Sequence, residues 1–402
     1  MPNENDYRRP MRRFMSFLDG VEYENADIPG KFTTEKLASI KPEDILKWMN
    51  KLVYGNENPS DNHDMSPLIR SSTVEQWKKG ISHWMPMQTT AWIPHMGVGN
   101  PTRSKLVNDF IKKIKKKEVR KLGAPSKARR SIEKQEFLNV RQILKTEGKD
   151  RVWKYGIPAQ MNFQLHMIAR IDDTTMAKIE NIQACNNWDF LLKTSLDWSK
   201  NVQEERDAPW QFLLPCMDPD FDVYIALALW LEVYYSEYPG GEDNPYLFAF
   251  SNDSRIPEGG NKSKKLIQDI FTKHLFKREE FSNGGPLGSH SIRKWASTFC
   301  RKNGISKDDK DHRGRWKAGR RVSDIYDDVE MPFIDARVAA ALCPGGPCKY
   351  KVKAGSLCTD NFIKEFVTPN ICKVLDDQVG LILGRALLWY IFSGELPKQI
   401  CS

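Results

Sequence analysis

The stretch GSHSIRKWASTF at residues 288–299 decides how the second half of the chain is interpreted. His290 and Arg293 are three positions apart, a spacing that places both on one face of a helix. The apolar residues Trp295 and Ala296 follow and predict the face that anchors this helix to a core. The polar pair either lies on a solvent-exposed face or binds a phosphate group, whose oxygens a guanidinium can hold bidentately.

Positive charge is concentrated in one segment of the 402-residue chain. The formal net charge is +9, from 61 Lys and Arg against 52 Asp and Glu. Residues 105–131 hold 11 basic and 2 acidic residues, so this segment alone carries 11 − 2 = +9. A solvated helix face, a nuclear-localisation patch and an arm along nucleic-acid phosphates all have this composition. The third interpretation predicts DNA contacts from Lys112, Lys113, Lys115, Lys116, Lys117, Arg120, Lys121, Lys127, Arg129 and Arg130.

Cysteine use and apolar runs indicate a reducing compartment and no membrane segment. The 8 Cys are few for the length and do not form a short disulfide framework. The N-terminus lacks the apolar core of a signal peptide, and the apolar run at 224–235 is too short to span a bilayer. We therefore expect a soluble, intracellular protein with no membrane partner, and the basic segment favours the nucleus.

The C-terminal cysteines raise the question of a zinc site. Cys343, Cys348, Cys358 and Cys372 are separated by gaps that match no usual zinc-ligand pattern, and a Cys-x-x-Cys pair is absent. We interpret them as ordinary thiols and expect no metal.

Hydrophobic periodicity predicts a mostly α protein with a small β-sheet or hairpin (α+β), divided into two domains. A Gly-Ala-Pro break at 123–125 marks the boundary. The runs 188–198 and 209–215 bracket a polar stretch and predict a β-hairpin with a long turn. The predicted parts are a flexible lead at 1–30, a helical domain at 31–125 with the basic linker 105–131, a mixed α/β domain at 132–335, and a Cys-containing helical tail at 336–402.

A phosphate-binding pair would need partners elsewhere in the chain. A reaction at phosphorus requires a second cation, a proton donor and a nucleophile. ARIDD at 169–173 places Arg170 after an apolar run, where a guanidinium requires a partner, with Asp173 three positions on. Downstream, GRW at 314–316 and YDD at 326–328 supply an indole and a phenol.

These elements, in this order, resemble the tyrosine recombinases, the phage-integrase family. HSIR resembles the family's His-x-x-Arg box, and ARIDD resembles its first arginine box. Lys200 lies in the predicted hairpin turn, where the family has its lysine. The resemblance extends over the predicted mixed α/β domain and selects Arg170, Lys200, His290, Arg293, Trp316 and Tyr326. The Trp before the Tyr and LCPGGPCKY at 342–350 are similar to the eukaryotic recombinases of Crypton-type transposons.

The resemblance implies a site-specific recombinase or integrase that cuts and rejoins double-stranded DNA by transesterification. Tyr326 would attack the phosphorus and form a 3′-phosphotyrosine, which retains the bond energy and needs no cofactor. Arg170 and Arg293 would neutralise charge in the transition state. Lys200 would protonate the leaving 5′ oxygen, and His290 would donate a hydrogen bond or assist proton transfer.

Supporting roles follow from the chemistry of the remaining side chains. The indole N–H of Trp316 can donate to a phosphate oxygen, and His312 is the alternative residue for that role. Asp173 would orient a neighbour. Lys193 and Tyr350 are the alternatives for the lysine and the nucleophile.

The resemblance also implies a homotetramer in the synaptic complex, in which the helical core-binding domain and the catalytic domain bind opposite faces of the duplex. Two other functions remain open at this point. One is a DNA-binding protein that has lost its catalytic activity, and the other is a DNA-relaxing enzyme similar to the type IB topoisomerases.

Overall fold

The computed structural model of the chain describes residues 4–28, 30–59, 65–126, 128–148, 151–199, 202, 208–238, 240–249, 259–273, 286–316, 332–392 and 398–400. Two compact units divide the chain, Met1–Lys127 (unit 1) and Ala128–Ser402 (unit 2). Each unit has its own hydrophobic core.

Unit 1 is helical. Its helices are α1 (Glu4–Asp19), α2 (Thr34–Ala38), α3 (Pro42–Tyr54), α4 (Ser71–Trp84) and α5 (Lys105–Val119). Helix α1 packs against α4, and α5 packs against both α3 and α4. Phe14, Trp48, Ile81 and Ile111 lie in the core between them.

Helix α1 corrects the prediction of a flexible lead at 1–30. Met11, Phe14 and Met15 are buried, at 0–1% exposure, in the core of unit 1. The Trp84 indole also donates to the carbonyl of Tyr7 at 3.0 Å. The many basic residues and Pro10 made this segment look flexible in the sequence. Its buried side chains are nevertheless three and four positions apart, the spacing of an amphipathic helix.

Unit 2 combines two small antiparallel sheets with helices. Strands β1 (Gln183–Cys185), β2 (Trp188–Thr194) and β3 (Gln211–Leu213) form one sheet in the order β1-β2-β3, and β4 (Cys348–Tyr350) pairs with β5 (Lys398–Ile400). The helices are α6 (Lys134–Glu147), α7 (Arg151–His166), α8 (Ile171–Thr175), α9 (Val223–Glu237), α10 (Gly259–Lys273), α11 (His290–Lys302), α12 (Lys307–Arg313), α13 (Pro332–Ala341), α14 (Asp360–Phe362), α15 (Ile371–Val374) and α16 (Asp377–Ile391).

The predicted fold class, mostly α with a small β-sheet, is confirmed. The predicted hairpin is the β2–β3 pair, in which Leu192 lies opposite Leu213. Strand β1 adds a third strand that the sequence did not predict, since three residues are too few to show a period of two. Within the described ranges, no helix is both long and apolar enough to cross a bilayer.

Helix α7 is the centre of unit 2 and fixes the positions of the site loops. Phe163 lies in the core that α7 shares with α9, whereas Met161 lies in the core that it shares with α6 and α11. The buried amide of Gln164 donates to the carbonyl of Ala169 at 3.2 Å and to that of Ser289 at 2.9 Å. One side chain therefore ties the segment before α8 to the start of α11.

Candidate active site

Two strained turns flank the region where the predicted arginines meet. Ile168 has φ 44° and Arg315 has φ 52°, a left-handed conformation that is unfavourable for a residue with a β-carbon. Such strain costs about 1–3 kcal/mol and persists only where the surrounding contacts impose it. The Arg315 guanidinium donates to the carbonyl of Met167 at 3.0 Å, so the two turns are bonded to each other.

The turn at Ile168 ends α7 and starts α8 at Arg170. The backbone N–H of Arg170 donates to Asp173 Oδ2 at 3.0 Å, which caps the short helix. Arg170 Nη1 lies 3.8 Å from the same oxygen and 3.4 Å from Ser199 Oγ. Asp173 is only 1% exposed, whereas the Arg170 side chain is 21% exposed. A buried carboxylate thus positions a guanidinium that remains accessible to solvent.

Arg293 approaches Asp173 from α11. Its Nη1 lies 3.4 Å from Asp173 Oδ2, and its Nη2 donates to the carbonyl of Gly314 at 2.6 Å. Because α11 buries Ile292 and Ala296 against the core, Arg293 is held inward at 5% exposure. The structure therefore brings Arg170 and Arg293 together on one carboxylate, although they are 123 positions apart in the sequence.

Trp316 also contacts the Arg293 guanidinium. Arg293 Cζ lies 4.4 Å from the centre of the indole ring, and Lys310 Nζ lies 5.4 Å from it, which are cation–π distances. Gly314 permits this arrangement, because a β-carbon there would lie 2.2 Å from Trp316 Cζ3. The GRW motif thus gives a carbonyl and an indole to the same guanidinium.

Arg315 is a residue of this site that the sequence analysis did not select. It is 6% exposed, and Nη1 donates to Gln211 Oε1 at 2.7 Å and to the carbonyl of Arg313 at 3.1 Å. Burial lowers its pKa to about 10. A third guanidinium thus lies close enough to influence the other two.

The guanidiniums of Arg170, Arg293 and Arg315 carry more positive charge than the single carboxylate of Asp173 can balance. Burial lowers the pKa of Arg293 to about 9, and the positive charges of Arg170 and Arg315 lower it further than Asp173 raises it. Arg293 is still protonated at neutral pH. An anion placed beside it would relieve this repulsion, so the cluster Arg170, Arg293, Arg315 and Asp173, here called the arginine cluster, has the electrostatics of an anion site.

The two histidines occupy different environments. His290 begins α11 and is exposed, on the same helix face as Arg293. His312 in α12 is half-buried, and burial lowers its pKa, as do the nearby charges of Arg313 and Arg315. Trp316, not His312, has the ring that lies over the Arg293 guanidinium.

Three predicted residues, Lys200, Tyr326 and Lys127, lie outside the described residues. Their alternatives lie elsewhere in unit 2. Lys193 Nζ lies 4.6 Å from the ring centre of Trp210, and the buried Tyr350 hydroxyl donates to Asp222 Oδ2 at 2.6 Å.

The basic segment is a helix rather than an extended linker over most of its length. Helix α5, capped by Ser104, buries Val107, Phe110, Ile111 and Ile114. The helix and the residues just after it have an exposed basic face. It is formed by the predicted DNA-contacting residues at 112, 113, 115, 116, 120 and 121. Within unit 1, Lys115 contacts Glu75 at 2.6 Å and Lys112 contacts Asp109 at 3.2 Å.

Three of the predicted DNA contacts have partners that limit their reach. Lys117 Nζ donates to the carbonyl of Met65 at 2.7 Å. Arg130 is paired with the fully buried Glu136, so it stabilises the start of α6. Arg129 packs beside Gly288, where a β-carbon would lie 2.9 Å from Arg129 Nε.

Arg313, adjacent to the arginine cluster, was also missed by the sequence analysis. It is fully buried, and its Nη1 lies 2.6 Å from both carboxylate oxygens of Asp335. The same guanidinium donates to the carbonyls of His166 and Phe212. A run of alternating Arg and Gly next to a motif residue was the signal available in the sequence.

Comparisons with known proteins give structural neighbours only. No protein-family model matches the chain, and no curated protein matches it. A crystal structure of a lambda integrase tetramer bound to a Holliday junction is similar at a TM-score of 0.40 and 12% identity, over 80% of each chain. A Flpe–Holliday junction complex is similar at a TM-score of 0.43 and 13% identity, over 98% of each chain.

Proposed function

We propose that the chain is a DNA strand transferase of the tyrosine-recombinase type. The observation that carries the proposal is the arginine cluster, in which two guanidiniums from distant segments converge on the buried Asp173. Such a cluster favours a phosphodiester, whose non-bridging oxygens can replace the missing negative charge. Trp316 and Ser199, the residue before Lys200, contact the two arginines.

The reaction that this site supports is transesterification at a DNA phosphate. Arg170 and Arg293 would bind the non-bridging oxygens and stabilise the charge of the transition state. Tyr326 would attack the phosphorus to form a 3′-phosphotyrosine, and Lys200 would protonate the 5′ oxygen as it leaves. Attack by a second 5′ hydroxyl would rejoin the strand and release Tyr326.

The two units would have different roles on DNA. Unit 1 would bind duplex DNA through the basic face of α5, because exposed lysines that neutralise phosphates release counterions. Unit 2 would carry the chemistry, and four copies would act together on two duplexes in a nucleus. The Crypton-type assignment rests on the sequence resemblance at GRW, Tyr326 and 342–350.

A nicked suicide substrate tests the proposal, because loss of the short cleaved fragment traps the covalent intermediate. Incubation with a library of such duplexes should give a protein–DNA adduct that resists denaturation. Tyr326→Phe should give none, and Tyr350→Phe, if it folds, should still form it. No adduct with any duplex would favour the inactive DNA-binding alternative.

A strand-exchange assay separates the two enzymatic alternatives. With the duplex selected by trapping, a recombinase should join two differently labelled molecules. A topoisomerase-like enzyme would relax supercoiled DNA without exchanging the labels.

A further inference from the structure

A buried group of potential metal ligands includes His166, which precedes the Met167 carbonyl bonded to Arg315. His166, the last residue of α7, meets Cys216, which follows β3, and Cys343, which follows α13. Their ligand atoms all lie within 4.8 Å of one another, and none of the three residues is more than 4% exposed. The three come from segments that the sequence places far apart, which is why no ligand spacing was visible.

The distance between His166 and Cys216 matches that of two ligands of a tetrahedral zinc ion. Zn–S and Zn–N bonds of the usual lengths place a sulfur and a nitrogen about 3.6 Å apart in a tetrahedron. His166 Nε2 lies 3.5 Å from Cys216 Sγ. The carbonyl oxygen of Phe221 lies 3.0 Å from that nitrogen and 3.5 Å from that sulfur, so it is near enough to both to be a candidate for the fourth ligand.

The charge of the three ligands also fits a divalent cation. Two thiolates and a neutral imidazole would cancel the charge of Zn²⁺, which permits burial in an apolar core. The Cys343 thiol donates only weakly, to the carbonyls of Ala339 at 3.4 Å and Leu214 at 3.7 Å.

We propose that His166, Cys216 and Cys343, with the carbonyl of Phe221, form a structural zinc site. The ion would displace the protons of the two thiols and join the end of α7 to the segments that follow β3 and α13. The carbonyl of His166 accepts hydrogen bonds from Arg313 at 3.0 and 3.1 Å, so the site would stiffen the support of the arginine cluster. The proposal does not depend on the recombinase activity.

Cobalt substitution of the full-length, untagged, reduced protein tests the site. Titration of the metal-free protein with Co²⁺ should give one equivalent of a tetrahedral spectrum with thiolate-to-cobalt charge-transfer absorption, and Zn²⁺ should abolish it. Zn²⁺ should also raise Tm, and chelation should lower it. Absence of the charge-transfer band, or a Tm indifferent to Zn²⁺, would overturn the proposal.

Variants locate the ligands and provide a matched control. Cys216→Ser and Cys343→Ser should each weaken the charge-transfer band by half or more, because one thiolate remains at most, and the double variant should lack it. Cys300→Ser should retain it, because Cys300 is equally buried in the same core but lies outside the ligand group. If either ligand variant fails to fold, the other variant and the wild-type titration still decide. A band that persists in the Cys216→Ser, Cys343→Ser double variant would place the metal elsewhere and contradict the assignment.

Discussion

Two buried guanidinium–carboxylate contacts of unit 2, those of Arg313 and Arg293, differ in character. Arg313 has a carboxylate, Asp335, within 2.6 Å of one nitrogen and two backbone carbonyls on the others. Arg293 shares the more distant carboxylate of Asp173 with Arg170, and a third guanidinium lies close by. The first contact is balanced and holds the fold together, whereas the second is unbalanced and suited to an anion from outside.

Breaking the balanced contact should have the largest effect. In Asp335→Asn, Arg313 remains buried without a negative partner, and removal of one member of a buried pair costs about 3–5 kcal/mol. The free energy of unfolding, measured by urea denaturation, should fall by that amount. Asp360→Asn is the control, because its contact with Arg385 is solvent-exposed and such pairs contribute about 1 kcal/mol or less. Equal denaturation midpoints for Asp335→Asn and wild type would contradict the distinction.

Removing the unbalanced charge should spare stability and slow the chemical step. Arg293→Met relieves repulsion from Arg170 and Arg315, so the free energy of unfolding should stay the same or rise. The rate of adduct formation on the suicide substrate should fall by about 10²–10³-fold, the effect of losing one donor to a charged transition state. Arg301→Ala, an exposed arginine on the same helix, should leave both quantities unchanged. A variant that loses stability but keeps its rate would show that Arg293 is structural.

Displacing the indole should have an intermediate effect. In Gly314→Ala, the new β-carbon collides with the Trp316 ring and moves it from Arg293. Loss of a cation–π contact of about 0.5–2 kcal/mol should slow adduct formation by about 2- to 30-fold. Trp316→Ala should give a similar loss, and combining the two changes should be no worse than either alone. Additive losses would show that Gly314 acts by a route other than Trp316.

The basic face of α5 should show the smallest effect for each residue. Lys112→Ala and Lys116→Ala should each weaken binding to any duplex and lower the slope of log K against log salt by up to about 0.9. The adduct rate at saturating protein should not change. Lys145→Ala in α6, also exposed, is the control. A lower rate at saturation would assign these lysines to the chemical step.

Local pattern made part of this architecture predictable. Helices α3 and α4 and the β2–β3 hairpin follow from periodicity, since side-chain direction is set by local geometry. Arg170 and Arg293 could be selected because each has a partner three positions away. Asp173 follows Arg170, and His290 precedes Arg293. The contacts between them depend on α7, whose Gln164 amide joins the two segments.

Tertiary structure supplied what the sequence could not. Arg315 adopts φ 52° and is buried, a conformation imposed by its bonds to Met167 and Gln211 and not favoured by its residue type. The pairing of Arg313 with Asp335 and the meeting of His166 with two cysteines join positions with no regular spacing. These features place the buried charged and titratable side chains of unit 2, and no local sequence pattern indicates them.

Mapping the residue bonded to DNA in the trapped adduct tests the account most directly. Proteolysis and mass spectrometry of the wild-type adduct should find the 3′-phosphate on the peptide that contains Tyr326. The Arg293→Met variant should give at most a trace of the same peptide. A bond to any other residue, Tyr350 included, or no adduct with any duplex, would contradict the assignment of the arginine cluster as the phosphate site of a strand transferase.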